Sequence, residues 1–525
     1  MYDDLRRLPA GDQVETDLCI IGGGVAGITL ARALSDTSAR ICLVESGAFD
    51  QDDACQRLYD GESEGFYYPP LDSGRLRYFG GSSNHWTGYC SPMTELDLQG
   101  RHWIPFTGWP LTFEDLRPYY ETAQGVCQLA RFAYEPGAWP TTPRFPELLP
   151  GKLVARLWQL SPPTRFGHAY REDLRRAGNL RVLLNANASE LLTDDEGRVV
   201  TAAMLQTLDG KATRIRAKSF VLACGGIENA RLLLLSDRNR PRGLGNDTDI
   251  LGRFFMDHLE VVTATGFLTL DHPPPFAGFA ADGVAMLPCL ALSGRAQEAA
   301  GTLTCAISIE PPHDGRPNGY LALRRTVLSL LRGRMPDSWD KDMLAVLMDL
   351  DGVASGVTHR ILGGARHMPP TRPGMPLVAR TRCEQAPDPE NRVLLTPERD
   401  ALGLRKIKLR WRIGAMERHT LRHAVRLVGE ELGRLRIARL KMVDWLIEDN
   451  EWPRLMNQGF HHIGTTRMCA DPRHGVVDRD CRVHGVSNLY VAGSSVFPTS
   501  SYAPPTLTVV ALALRLAEHL RTRLG

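Results

Sequence analysis

"VETDLCIIGGGVAGITLARALSD", residues 14–36, decides the fold class. Asp17 to Ile21 is a short apolar run of strand type. Gly22-Gly23-Gly24-Val25-Ala26-Gly27 then fits G-x-G-x-x-G, and Ile28 to Leu34 continues with helical periodicity. A second strand-like run, Ile41 to Val44, ends in the acid Glu45. Strand, glycine turn, helix, strand and terminal acid at this spacing form a dinucleotide-binding βαβ unit. Gly22 allows the tight turn, Gly24 lets the backbone approach a pyrophosphate, and Gly27 lets the helix pack closely on the strand. The helix N-terminus offers free N–H groups to the phosphates, and Glu45 can accept hydrogen bonds from a ribose. The motif alone does not separate FAD from NAD.

Outward from this unit, composition sets bounds. The 525 residues are too many for one simple core, and 43% hydrophobic with 23% charged residues is ordinary globular composition. Net charge is +2, and only 7 of the 62 basic residues are lysine. No basic run suggests nucleic acid or an anionic membrane. The 11 cysteines are scattered, odd in number and without a C-x-x-C pair. A reduced, cytoplasmic setting is expected, with no disulfide framework and no metal site. No window approaches ~18 uninterrupted apolar residues, so no membrane span is expected. Arg6-Arg7 is followed by no apolar core of the length an export signal needs.

Residues 76–93, "LRYFGGSSNHWTGYCSPM", place Gly80-Gly81 before Ser82-Ser83 in a loop whose backbone can lie close to a flat ligand. With this segment the chain resembles the glucose–methanol–choline (GMC) oxidoreductase family, nearest in motif style to its pyranose-oxidase-like bacterial branch. "FGGSSNHWTG" matches that family's first signature, and "FVLACGGIENARLLLLS" (220–236) resembles its second. "LGRFFMDHL" (251–259), the hairpin-like "EQAPDPENRVLLTPERDALGL" (384–404) and "HHIGTTRM" (461–468) follow in the family's order.

The resemblance implies FAD as cofactor and an α/β fold, α+β overall. A Rossmann-like FAD-binding domain would be assembled from 13–100, 178–262 and 453–525. A substrate domain, a mainly antiparallel sheet backed by helices, would comprise 101–177 and 263–452. "LEVVTATGFLTL", "GTLTCAISIE", "MPLVARTRCEQ" and "LRKIKLRWRI" read as its half-buried strands, and 415–437 as a helix on its outer face. The Pro/Gly-rich stretches 271–283 and 363–376 read either as loops over a site or as rigid surface connections. Beyond the first βαβ unit, the resemblance implies cofactor contacts from Gly81, Ser82, Ser83, Asn84, His85, Ala188, Gly493, Ser494, Pro505 and Thr506. His85 is expected to pack near the flavin or hydrogen-bond it; a covalent link is the alternative.

Flavin oxidation of an alcohol needs a group to take the hydroxyl proton and a group to hold the substrate oxygen. Histidine suits the first task because its pKa lies near working pH. The resemblance assigns His461 as base, with His462 in reserve. At the second position the pyranose-oxidase ending carries asparagine, whereas Ala503-Pro504-Pro505-Thr506 has Pro504, with neither a side-chain hydrogen bond nor an N–H. A lone histidine, a hydroxyl from Tyr502, Ser500 or Ser501, or a changed reaction would each answer this. The leading reading is FAD-dependent oxidation of an alcohol in a small polar or sugar-like metabolite, with O2 or another electron acceptor. The alternative is a flavin-containing lyase-like enzyme or oxidation of a non-alcohol.

Overall fold

Three sheets organise the chain in the computed structural model, which describes residues 1–9, 13–140, 147–270, 274–312, 323, 326–327, 339–348, 373–448, 451–453 and 457–524. Five helices matter for the site: α1 (Val25–Ala33), α2 (Phe113–Val126), α3 (Gly225–Leu235), α4 (Ala415–Arg434) and α5 (Thr506–Leu524).

The first sheet has eight strands. Its parallel part runs in the order Tyr2–Asp4, Leu180–Leu184, Ile41–Val44, Gln13–Ile21, Ala212–Leu222, with Leu489–Val491 also against Ala212–Leu222. Asn187–Thr193 and Val200–Gln206 extend it as an antiparallel meander. Leu18, Cys19 and Ile20 are all fully buried, the continuous apolar run expected of a parallel strand covered on both faces. Helix α1 packs on α5, which packs on α2. The register sets four strand ends level, pairing Ile21 with Val44 and Leu222, and Leu222 with Val491. The neighbours of Gln13–Ile21 lie to opposite sides of it, so a crevice opens beyond these carboxyl ends, where open α/β sheets bind ligands.

The second sheet has nine strands, with Leu259–Leu268, Pro376–Cys383, Cys305–Glu310, Val284–Leu292 and Leu153–Leu160 at its centre, all antiparallel to their neighbours. Helix α4 lies against it. Along Pro376–Cys383, Ala379, Thr381 and Cys383 are buried, while Arg380 and Arg382 alternate onto the half-buried face. That face closes the crevice from the far side.

The strand assignments differ from the sequence expectation in particular places. Tyr89–Cys90 and Asn457–Gln458 join the nine-stranded sheet. The hairpin Arg392–Arg399/Arg405–Trp411, expected within the substrate sheet, instead pairs with Gly61–Gly65 as a separate three-stranded sheet. Burial explains this: Val393, Ile407, Leu409 and Trp411 are essentially fully buried, and a Cβ at Gly65 would stand 2.3 Å from the Trp411 carbonyl oxygen. The glycine lets the edge strand lie against the tryptophan. Of the two Pro/Gly-rich stretches, 271–273 and 363–372 fall outside the described residues. Among the described residues no helix is long and apolar enough to cross a membrane, and no group of three or more metal-ligating side chains forms.

Candidate active site

A cavity of about 790 Å³ fills the crevice between the two large sheets. That is toward the upper end of the ~300–1,000 Å³ typical of small-molecule sites. Its cofactor end is built from the turns after the four level strands: Gly22 and Gly24, Glu45 and Ser46, Ala223 to Gly226, and Gly493 and Ser494. Gly22 has φ +112°, and a Cβ there would meet the Ala223 carbonyl oxygen at 2.5 Å. A Cβ on Gly27 would stand 1.9 Å from the Gly22 carbonyl oxygen, so α1 can seat only on glycine. Nothing lies within 4 Å of a Cβ at Gly24 or Gly225, and the N-termini of α1 and α3 carry no side-chain cap. Open backbone and uncapped helix N–H groups facing one crevice fit a pyrophosphate.

Glu45 lines the same end, with both carboxylate oxygens already engaged. Oε2 accepts from Gly23 N–H (2.8 Å) and Oε1 from Gly47 N–H (2.9 Å). Oε1 also accepts from Ser46 Oγ (3.3 Å), so Oε2 keeps the lone pair for a ribose hydroxyl. Two cations unmarked by any motif stand here. Arg75 and Arg77 stack on Tyr59 at 3.9 and 4.8 Å and share the Glu228 carboxylate at 2.9 and 3.3 Å. Arg77 Nε is buried without a partner. These residues fit FAD; bound there, it would supply a two-electron hydride acceptor.

Gly81, Ser82, Ser83, His85, Ala188, Pro505 and Thr506 also line the cavity. Asn84 and Gly27 do not; they act behind the wall. Asn84 Nδ2 donates to the Phe79 carbonyl (3.0 Å), bracing the glycine–serine loop from inside.

The chemical end gathers His461 and His462, which point opposite ways from an extended segment. His462 turns to Tyr68, with Nε2 3.0 Å from the phenol oxygen, and Tyr68 donates to Asp257 Oδ2 at 2.6 Å. Asp257 Oδ1 accepts the His258 and His461 backbone N–H groups at 2.7 and 2.8 Å. The buried carboxylate thus fixes the main chain on which both relevant imidazoles ride. A Cβ at Gly226 would lie 2.0 Å from the His462 carbonyl oxygen, so this glycine of the second motif lets the histidine segment pass.

His461 meets a third histidine that no sequence argument singled out. Its Nδ1 lies 2.7 Å from His258 Nδ1. His258 Nε2 faces only carbonyl oxygens, Ser501 at 2.7 Å and Ser500 at 3.2 Å, so Nε2 must carry hydrogen. Neutral His258 then accepts at Nδ1, His461 donates from its own Nδ1, and His461 Nε2 is left as a free base. A Cβ at Gly459 would stand 2.7 Å from His461 Nδ1, so a glycine also makes room for this pair.

The "TSSYAPP" loop serves this arrangement through its backbone, which corrects the sequence expectation. Ser500 Oγ accepts from Gln385 N–H and Ser501 Oγ from Ala503 N–H, and both residues are fully buried off the cavity. Tyr502 lies behind Trp158, ring centroids 5.4 Å apart, in a small apolar cluster, and does not line the cavity either. The serine hydroxyls are spent on bracing and the tyrosine ring on packing. Ser501, at φ +55°, turns the chain so that two carbonyls point at His258. Pro504 lines the cavity with neither a polar side chain nor an N–H.

Burial holds His258 and His462 down at about 4 and about 3. Burial, reinforced by the neighbouring His258, Arg382 and His462, holds His461 well below its ordinary range. Burial also pushes Asp257 up to about 7, against the hydrogen bonds it accepts. The depressed imidazoles stabilise the fold above their unfolded value of ~6.5, and this is lost as pH falls toward the folded values. Asp257 acts in reverse, its contribution being present at low pH and lost as pH rises toward 7. Three imidazoles outweigh one carboxyl, so these four groups together take up about two protons on unfolding between pH 6 and 4.5. Their share of the fall in stability on acidification is about 2–3 kcal/mol per pH unit, measured by denaturant titration across that range.

Tyr68→Phe should keep the ring packing on Trp411 (5.1 Å) while leaving His462 Nε2 and Asp257 Oδ2 without their partner. An expected loss of about 1–3 kcal/mol follows from stranding buried polar groups, read as a lower denaturant midpoint at constant slope.

Comparison with known proteins supports FAD as the cofactor. A family model described as GMC oxidoreductase matches residues 387–513, and one described as FAD dependent oxidoreductase matches 17–243. The 2-methyl-1,2-propanediol dehydrogenase of Mycolicibacterium austroafricanum is 22% identical, over 97% of this chain and 96% of that protein. The 6'''-hydroxyparomomycin C oxidase of Streptomyces lividus is 23% identical, over 97% and 92%. The fructose dehydrogenase large subunit of Gluconobacter japonicus is 27% identical over 65% of this chain, which spans about half (54%) of that relative. Among solved structures, a formate oxidase superposes with TM-score 0.58 at 18% identity, covering 98% of this chain and 99% of that one. Pyridoxine 4-oxidase from Mesorbium loti gives 0.52 at 18%, covering 96% and 98%.

Proposed function

Because the chain belongs to the GMC oxidoreductase family and is an FAD-dependent oxidoreductase, we propose that it oxidises an alcohol group of a small polar or sugar-like metabolite, with His461 as the base. The observation carrying this reading is the 2.7 Å contact between the two Nδ1 atoms of His461 and His258, which leaves His461 Nε2 unprotonated at the cavity wall. The hydroxyl proton passes to Nε2 as the carbinol C–H bond breaks. The resulting imidazolium keeps its Nδ1–H···Nδ1 bond to His258, now charge-assisted.

We propose the eight-stranded sheet with its helices as the FAD-binding unit and the cavity face of the nine-stranded sheet as the substrate wall. All eleven cysteines are free thiols, which supports a reducing, cytoplasmic setting. O2 or another acceptor would reoxidise the enzyme.

The test is stoichiometric. Purified protein is mixed with a panel of alcohols without oxygen, and carbonyl product is quantified against loss of the flavin's visible absorbance. One carbonyl formed per flavin bleached supports the reading. Substrate turnover without bleaching would support a lyase-like reaction instead.

A further inference from the structure

The substrate wall carries two arginine–glutamate pairs between neighbouring strands, one directly opposite and one diagonal, and the inner, opposite pair leaves a carboxylate oxygen unused. Arg382, paired across the sheet with Glu260 on one side and Ala306 on the other, gives its Nε and Nη2 edge to the Glu260 carboxylate. Its Nη1 is buried without any hydrogen-bond partner. Both side chains line the same cavity as His461 and are about one-sixth exposed, 15% and 19%. The guanidinium is held in place by aromatic faces, 5.1 Å from the Trp158 centroid and 5.5 Å from that of Tyr89.

Two residues along the same strand, Arg380 pairs with Glu310 beside Ser308, and this outer pair is more exposed, at 25% and 29%. The wall therefore repeats one motif from the base outward: a cationic donor bound to a carboxylate acceptor, with both lining the cavity.

Nη1 is buried out of reach of the cavity, so the group that a ligand meets is the carboxylate. Both contacts from Arg382 fall on Glu260 Oε1, which leaves Oε2 as an acceptor for a hydroxyl that donates. The pair has no net charge, so it suits a neutral hydroxyl better than an ion.

Resting on the reading of His461 as base, we propose that the Arg382–Glu260 pair, through Glu260 Oε2, binds the hydroxyl neighbouring the reacting carbinol, so that the enzyme acts on vicinal diols, as found in polyols and sugars, in preference to isolated alcohols. Trp158 and Tyr89 offer apolar faces to the C–H side of such a substrate. Arg380, Ser308 and Glu310 stand where a longer polyol would continue.

The test compares trans-1,2-cyclohexanediol with cyclohexanol as anaerobic reductants of the holoenzyme. It also compares, by calorimetry, the binding of pinacol with that of 2,3-dimethylbutan-2-ol, neither of which carries a carbinol hydrogen. A preference for the diol of about 10- to 100-fold is expected in both comparisons, from one charged hydrogen bond gained. Arg382→Lys and Glu260→Gln should each bring the ratio toward unity, through the diol and not the mono-alcohol. Ratios within twofold in the wild-type protein overturn the inference, and that result needs no variant to fold. If both cyclohexyl alcohols reduce the flavin equally, alcohol oxidation stands and the diol reading falls. If pinacol binds selectively but no alcohol in any panel reduces the flavin, the wall is as described and the proposed reaction falls.

Discussion

Replacing His461 with alanine is expected to slow anaerobic flavin reduction by about 10²–10⁴-fold while the protein stays yellow, the loss typical of removing a positioned base. The two effects separate because the cofactor end of the cavity is built elsewhere, from the turns after Ile21, Val44, Leu222 and Val491. His461 contributes to substrate chemistry through Nε2 and to the fold only through its bond to His258 and its main-chain N–H to Asp257. The alanine keeps that N–H. It also opens a space of imidazole shape beside His258, so added imidazole should restore part of the rate. Rescue of this kind distinguishes a lost base from a disturbed pocket. His462→Ala should not reproduce the defect, since that ring is tied to Tyr68.

The second large effect is expected at His258. His258→Leu removes the acceptor for His461 Nδ1–H and the donor for the Ser500 and Ser501 carbonyls. The His461 ring then has no reason to keep its proton on Nδ1 or its orientation. Stranding one buried N–H costs about 1–3 kcal/mol, which corresponds to a reduction rate about 5- to 150-fold lower. His258 is a positioning residue, so KM should change little while the rate constant for reduction falls. His258→Gln, which retains an acceptor and a donor, should recover part of it. Equal losses in both variants, with KM raised in parallel, would point to a packing role alone.

Much of the fold is legible in the chain because its signals are local. Gly27 answers a steric demand set by Gly22, five residues earlier, and Ile41–Val44 with Glu45 follows at a fixed distance. His461 is legible for a similar reason, as it opens a short motif. The site's second half is not local. His258 and His461 lie 203 positions apart in the chain and meet only when the nine-stranded sheet is laid against the crevice. Arg382 reads as one more basic residue in an alternating strand until register sets it between Glu260 and Ala306. The "TSSYAPP" loop misled in an instructive way. Its polar side chains suggest contacts with substrate, but Ser500 and Ser501 are consumed in bracing, and the useful groups are carbonyls that every residue carries. The buried pair in "FMDHL", an aspartate and a histidine inside an otherwise apolar run, was the available signal for Asp257 and His258.

The most direct measurement is the visible spectrum of wild-type and His461→Ala protein, recorded side by side after anaerobic mixing with an oxidisable polyol. The account predicts that both are yellow, that the wild type bleaches and forms one carbonyl per flavin, and that the variant stays yellow over the same interval. Colourless protein that takes up no FAD, or a variant that bleaches as fast as the wild type, would contradict it.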